Sequence, residues 1–154
     1  MIKIMFICHG NICRSTMAQS YFSHLLKQES LDSLFVIDSS ATSREEIGNK
    51  PHYGTKQILS KKGVKLIDHR SKQISKKEAN DFDLLVCMDK NNIYNLQRII
   101  DKPNYNKINL LLDYANINRD IADPWYTGNF ELTYQDVKIG CESLLKHIKK
   151  NNNL

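Results

Sequence analysis

The sequence predicts an α/β domain built on a mainly parallel sheet, and three observations carry that prediction. Four short aliphatic runs have the length and composition of strands buried on both faces: "IKIMFI" (2–7), "LFVIDSS" (34–40), "FDLLVCM" (82–88) and "KINLLL" (107–112). Other stretches carry apolar residues at helical spacing. The two patterns alternate along the chain, which calls for crossover connections and therefore parallel pairing.

Taken in order, the first run leads directly into "CHGNICRS" (8–15). Ala18, Tyr21, Phe22, Leu25 and Leu26 then form one apolar stripe, so a helix is expected from near Ser15. After the second run, a helix is expected from near Pro51, ending at Gly63. Ile93, Leu96, Ile99 and Ile100 mark a helix after the third run, and Pro103 is expected to stop it. The segment from Asp113 to Asn129 shows little periodicity. It is long for a connection in a compact domain, and such loops often carry function. Val137, Cys141, Leu144, Leu145 and Ile148 define a last helix, and "NNNL" reads as a frayed tail. With no internal repeat and no break in composition, residues 1–154 are expected to form a single domain.

Composition narrows the function classes. The 154 residues suffice for one hydrophobic core, and 41% hydrophobic with 25% charged residues is ordinary for a soluble protein. No apolar run approaches the roughly 20 residues of a membrane span. The apolar stretch Ile2–Ile7 is too short for a signal peptide, so a cytoplasmic location and no membrane partner are expected. The net charge of +5 is concentrated between Lys56 and Lys77. Such a run either attracts anionic partners or is a solvated surface. It lacks interleaved aromatic residues for base stacking, which favours the surface reading and speaks against nucleic acid. The cysteines stand at 8, 13, 87 and 141, with no CxxC pair and no zinc spacing, so neither a metal nor another cofactor is expected.

The loop after the first strand holds the chemistry. In parallel sheets ligands bind at the carboxyl ends of the strands. A loop between a strand end and a helix N-terminus faces unpaired N–H groups and the positive end of the helix dipole, which suits an anion. The same field favours a thiolate at Cys8. Gly10 is expected to take unusual dihedrals and admit an anion closely, and Asn11 tolerates the left-handed region. Arg14 offers a planar two-pronged donor for phosphate oxygens. Ser15 either caps the helix or donates to the thiolate. A nucleophilic sulfur in a phosphate cradle with an arginine clamp is a device for attacking phosphorus. A buried structural thiol is the bland alternative for Cys8.

"CHGNICRS" resembles the signature loop of the low-molecular-weight protein tyrosine phosphatases. "DSSATSREEIGN" (38–49), "DHRSKQI" (68–74), "FDLLVCMDKNN" (82–92) and "DPWY" (123–126) agree with that family in order and spacing. The resemblance implies a four-stranded parallel sheet flanked by helices and hydrolysis of phosphotyrosine through a phosphocysteine. It implies Cys8 as nucleophile, Arg14 as phosphate-binding arginine and Asp123 as general acid. Read alone, Asp123 is a turn residue before proline. Asn11, Ser15 and His69 are similar to residues that hold the loop in shape, and Cys13 to a second cysteine able to form a protective disulfide with the nucleophile. The pocket is expected to be bounded by His9, Gly10, Asn11, Ile12, Cys13 and Ser15, with Trp125 and Tyr126 on one wall and Glu45 and Glu46 on the other. Trp125 departs from the tyrosine often found there. Glu45 stands where some members carry an aromatic residue, which suggests a preference for basic flanking residues. The implied partners are phosphotyrosine proteins or small aryl phosphates, with phosphate as product and the enzyme a monomer.

Rival readings fit these residues less well. Arsenate reductases of the same fold need further redox cysteines, and Cys87 has no partner close behind it. Protein arginine phosphatases carry threonine where this chain has Ile12. A phosphopeptide-binding module would lack the nucleophile, arginine or acid, and a phosphocarrier would lack the distal acid.

Overall fold

β1 (Ile2–Cys8), β2 (Phe35–Ala41), β3 (Leu84–Cys87) and β4 (Ile108–Leu110) form one sheet in the order β2-β1-β3-β4, with every pair parallel. These elements come from a computed structural model that describes residues 1–154. The α/β fold with a four-stranded parallel sheet is thus observed. The sheet is sandwiched because β1 alternates its faces, as strand geometry demands. Ile4, Phe6 and Cys8 point into one apolar cluster with α1 (Arg14–Gln28) and α6 (Phe130–Asn152), which also receives α2 (Tyr53–Lys61). Met5 and Ile7 point into a second cluster with α3 (Lys76–Asp81) and α4 (Lys90–Gln97). All four of these central residues, Ile4 to Ile7, are fully buried. The predicted stripes on α1 and α6 are buried throughout. Gly140 lets α6 lie directly on the turn after β4, since a Cβ there would sit 2.5 Å from Leu111 Cγ.

The order of strands places the site. The chain leaves β1 for β2 on one side and later returns to β3 on the other. The carboxyl ends of β1 and β3 therefore flank a topological switch point, where loops diverge and a crevice opens. Cys8 ends β1 and Asp89 follows β3 at this crevice.

Element boundaries differ from the sequence reading in specific ways. The third and fourth strands are shorter than their apolar runs. Phe82 caps α3, and Leu111 and Leu112 turn into a 3₁₀ segment (Leu111–Ala115) that packs under α6. α3 was not anticipated, although Ser75 and Glu78 form a reciprocal capping box at its start. α2 begins at Tyr53, capped by His52, and the chain turns away at Gly63 with φ 72°. α4 ends at Gln97, short of Pro103, which instead opens a 3₁₀ segment (Lys102–Lys107). Ile100 is buried from the turn between them. The tail is not frayed from Asn151: α6 runs to Asn152 and Asn153 closes it in the left-handed conformation. The lysine run is partly neutralised, with Lys62 on Glu131, Lys72 on Asp38 and Glu78, and Lys76 on Asp101. No helix is long and apolar enough to cross a membrane.

Candidate active site

Residues 8–15 wrap from the end of β1 into the first turn of α1. The wrap needs one backbone residue in the left-handed region, and Asn11 supplies it with φ 57°. Gly10, expected to be the unusual residue, is not: its φ is not positive, and a Cβ there would meet Glu46 Cγ at an ordinary 3.4 Å. Asparagine is tolerated at such a position, and here its side chain is used as fully as its backbone. Fully buried, Asn11 donates from Nδ2 to Ser15 Oγ at 2.7 Å and to Ser39 Oγ at 3.0 Å. Its Oδ1 accepts from His69 Nε2 at 2.8 Å and from the Lys72 N–H at 3.3 Å. The Lys72 amide fixes which end of the amide is oxygen, and so fixes the proton of His69 on Nε2. Burial holds His69 below its ordinary pKa, consistent with a neutral ring.

Ser15 does not cap α1. Its Oγ lies 3.1 Å from Cys8 Sγ while accepting from Asn11, so its single hydrogen is available to the sulfur. The Asn11 amide also donates to Cys8 Sγ at 3.3 Å, which shows how tightly the loop curls. The Ser15 hydroxyl and the Asn11 amide thus both sit against the sulfur. At Cys13, burial, then the nearby Cys8 and Asp123 charges, push the thiol up to about 12. Burial likewise pushes up Cys87 and Cys141. The loop is pinned outside as well. Ser71 Oγ donates to Gly10 O at 2.8 Å, the Thr42 and Ser43 amides to Cys8 O and His9 O, and the His52 amide to Ile12 O at 2.7 Å.

Arg14 is 2% exposed and held by two partners that no motif singles out. Nη1 donates to Asp89 Oδ2 at 2.6 Å and to Ile121 O at 2.9 Å. Both hydrogens of Nη1 are thereby used, and three remain on Nε and Nη2, one for Asp123 and two for the oxygens of an oxyanion. Nη2 also lies 3.4 Å from Asp123 Oδ2. Asp89 caps α4 through its other oxygen, which accepts from the Asn92 amide at 2.7 Å, so its carboxylate is fixed at both ends. Asp123 caps a short helix, α5 (Pro124–Thr127), with Oδ1 accepting from the Trp125 amide at 3.0 Å. The long loop thus ends in a capped turn, with Pro124 in its first turn.

These groups share one cleft of about 100 Å³, lined by Cys8, His9, Gly10, Ile12, Cys13, Arg14, Glu45, Glu46, Asp123, Trp125 and Tyr126. Of the residues predicted from the sequence, only Asn11, Ser15 and His69 lie behind its wall, in the hydrogen-bonded layer. Trp125 and Tyr126 stand exposed at the rim, and His52 meets the Trp125 ring edge-on at 5.6 Å while stacking on Phe130. Across the mouth, His9 Nε2 lies 2.9 Å from Glu45 Oε2. No group of three or more His, Cys, Asp or Glu side chains is arranged to hold a metal.

Known proteins share this sequence pattern and this fold. The family model described as low molecular weight phosphotyrosine protein phosphatase matches residues 3–154. The low molecular weight protein-tyrosine-phosphatase YfkJ of Bacillus subtilis is 40% identical, with 100% of each chain aligned. Its crystal structure superposes with a TM-score of 0.95 over 99% of this chain and 97% of that one. PtpA of Staphylococcus aureus is 35% identical over 100% of this chain and 98% of its own. A drosophila arginine phosphatase, 29% identical, superposes with a TM-score of 0.88 over 96% of this chain and 98% of that one. With the match running through the whole chain, this protein belongs to the low molecular weight protein-tyrosine-phosphatase family.

Proposed function

We propose that this phosphatase hydrolyses phosphotyrosine through a phosphocysteine on Cys8, with Arg14 binding the phosphoryl group and Asp123 as general acid. The observation that carries this reading is the shared cleft: a sulfur against the Ser15 hydroxyl and the Asn11 amide, a buried guanidinium with hydrogens left on Nε and Nη2, and a carboxylate 3.4 Å from that guanidinium. In the first step the Cys8 thiolate attacks phosphorus, the P–O bond breaks and the phenolate leaves with the Asp123 proton. In the second, the Asp123 carboxylate takes a proton from water, and that water displaces Cys8 from phosphorus. The sum is ester plus water to phenol plus phosphate, split into two easier steps. Arg14 and the loop amides stabilise the charge on the transferring group.

Aromatic residues at the rim support a ring-bearing substrate, phosphotyrosine in proteins or a small aryl phosphate. Glu45 and Glu46 on the facing wall favour basic residues beside the phosphotyrosine. The apolar Ile12 in the cleft distinguishes this chain from arginine phosphatases. The test compares phosphotyrosine, phosphoserine and phosphoarginine peptides on wild type and Cys8→Ser. Turnover of phosphotyrosine well above the other two, absent in Cys8→Ser, is expected. Preference for phosphoarginine, or turnover that survives Cys8→Ser, would overturn the proposal.

A further inference from the structure

The loop that carries Asp123 is fastened to α6 by an ion pair that does not line the cleft. Arg119 places both terminal nitrogens on the Asp136 carboxylate, Nη1 on Oδ2 and Nη2 on Oδ1, each at 2.8 Å. Asp136 is 5% exposed at its side chain, whereas Arg119 is 52% exposed. Nη1 also donates to the Asp120 carbonyl at 3.2 Å, so the pair grips the loop backbone as well as the helix.

Downstream of this grip every residue to Asp123 has an anchor. The Lys90 amide donates to Asp120 Oδ1 at 3.1 Å, the Ile121 amide to Met88 O at 3.0 Å, and Arg14 to Ile121 O at 2.9 Å. Upstream, Asn116 turns in the left-handed region, and no regular structure intervenes before Arg119. The Asn116 and Ile117 amides donate back to Asp113 O and Leu112 O, so the ion pair joins that turn and the stretch bearing Asp123 to α6. Stability alone is a poor reason for it. A buried carboxylate paired with an arginine is commonly no better than a well-packed apolar pair, and half-exposed pairs contribute little. A bidentate pair does supply direction, because a planar fork on a carboxylate fixes both distance and orientation.

We propose that Arg119 and Asp136 are positioning residues for Asp123, setting where the acid stands over the leaving group without taking part in phosphate binding. This rests on the reading of Asp123 as the general acid. Phosphate binding is expected to be spared because Arg14 keeps its 2.6 Å contact with Asp89, and the Ile121 carbonyl it also meets stays anchored through the Ile121 amide on Met88 O.

The test uses Arg119→Gln, the double variant Arg119→Met with Asp136→Leu, Asp123→Asn, and Arg119→Gln combined with Asp123→Asn. The double variant removes the buried charge with its partner, so it keeps the fold while lacking the tether. Single-turnover rates are measured on a phosphotyrosine peptide and on para-nitrophenyl phosphate, whose phenol leaves readily without a proton. Inhibition by inorganic phosphate and the thermal midpoint are measured alongside. Small displacements of a catalytic group can cost up to about a hundredfold, so a loss of about tenfold on phosphotyrosine is expected for Arg119→Gln and for the double variant. The loss on para-nitrophenyl phosphate should stay within about threefold, since general acid help matters less there. Phosphate inhibition should be unchanged. Arg119→Gln should add nothing once Asp123 is Asn, because groups that act as a unit are not additive.

Equal losses on both substrates, weakened phosphate inhibition, recovery of the rate in the double variant, or a further loss on top of Asp123→Asn would each overturn the positioning role. So would a wild-type rate in Arg119→Gln beside a leaving-group-dependent loss in Asp123→Asn, and that result would leave the acid itself standing. An Asp123→Asn loss that is equal on both substrates would instead overturn the reading of the acid, and the positioning role with it.

Discussion

Replacing Asn11 separates what its backbone does from what its side chain does. Its φ of 57° costs an ordinary L-residue about 1–2 kcal/mol, of which glycine avoids all but loses about 0.4–1 kcal/mol through its freer unfolded chain. Glycine should therefore be tolerated better than alanine by about 1 kcal/mol. The side chain makes four hydrogen bonds, to Ser15, Ser39, His69 and Lys72. Two partners recover without it: Ser39 keeps its 2.5 Å bond to Gln19, and His69 keeps Ser39 at 3.2 Å. Ser15 Oγ is left short in a buried place and the Lys72 amide in a half-buried one. At about 1 kcal/mol per bond and more per orphaned group, Asn11→Gly should lose about 3 kcal/mol and Asn11→Ala about 4 kcal/mol. For a chain of this size each kcal/mol shifts the thermal midpoint by about 2–4 °C, so drops of about 6–12 °C and about 8–16 °C are expected. Urea unfolding and thermal melts of both variants measure this. Alanine and glycine variants of equal stability, each within about 1 kcal/mol of wild type, would refute both halves of the reasoning.

Two further predictions concern ionisation and oxidation. Burial holds His69 below its ordinary 6.5, so the unfolded chain takes up its proton first on acidification. Its contribution to stability is complete above about pH 6.5 and is lost as pH falls through the lower folded value; His69→Gln, which keeps an N–H for Asn11, should flatten the fall in urea midpoint between about pH 7.5 and about pH 5.5, and an unchanged slope would contradict it. Cys13 lines the same cleft as Cys8, which places it to resolve a Cys8 sulfenic acid, and its thiol, pushed up to about 12, should not be the first site of oxidation. After brief peroxide treatment, wild type should regain activity with dithiothreitol and show a Cys8–Cys13 bond by mass spectrometry, whereas Cys13→Ser should recover much less; equal recovery without that bond would leave Cys13 a packing residue.

What the sequence revealed and what it hid follow from the range of the interactions. β1, the loop after it, α1 and most of α6 were legible because their signals are local: a strand-length aliphatic run, a dense motif, and apolar stripes at helical spacing. The outer strands were over-extended because an apolar run does not say where pairing stops; Leu111 and Leu112 are as buried in a 3₁₀ turn as in a strand. α3 was missed because its only local mark is the Ser75–Glu78 box. Gly10 and Asn11 were both plausible carriers of the unusual dihedral. The choice fell to Asn11, whose amide also reaches Ser39 and the His69–Lys72 segment. Asp89 lay in a segment that already resembled the family, yet its role depends on an arginine 75 positions away. Arg119 and Asp136 carry no motif at all, and only the packing of the loop on α6 brings them together.

The central claim is that Cys8 takes the phosphoryl group during turnover. The direct measurement is a denaturing quench of wild type within its first turnover of a phosphotyrosine substrate, followed by mass spectrometry of the peptides. One phosphoryl group is expected on the peptide containing Cys8, localised to its sulfur and absent in Cys8→Ser. A phosphoryl group carried by any other residue, or full turnover by Cys8→Ser, would contradict it.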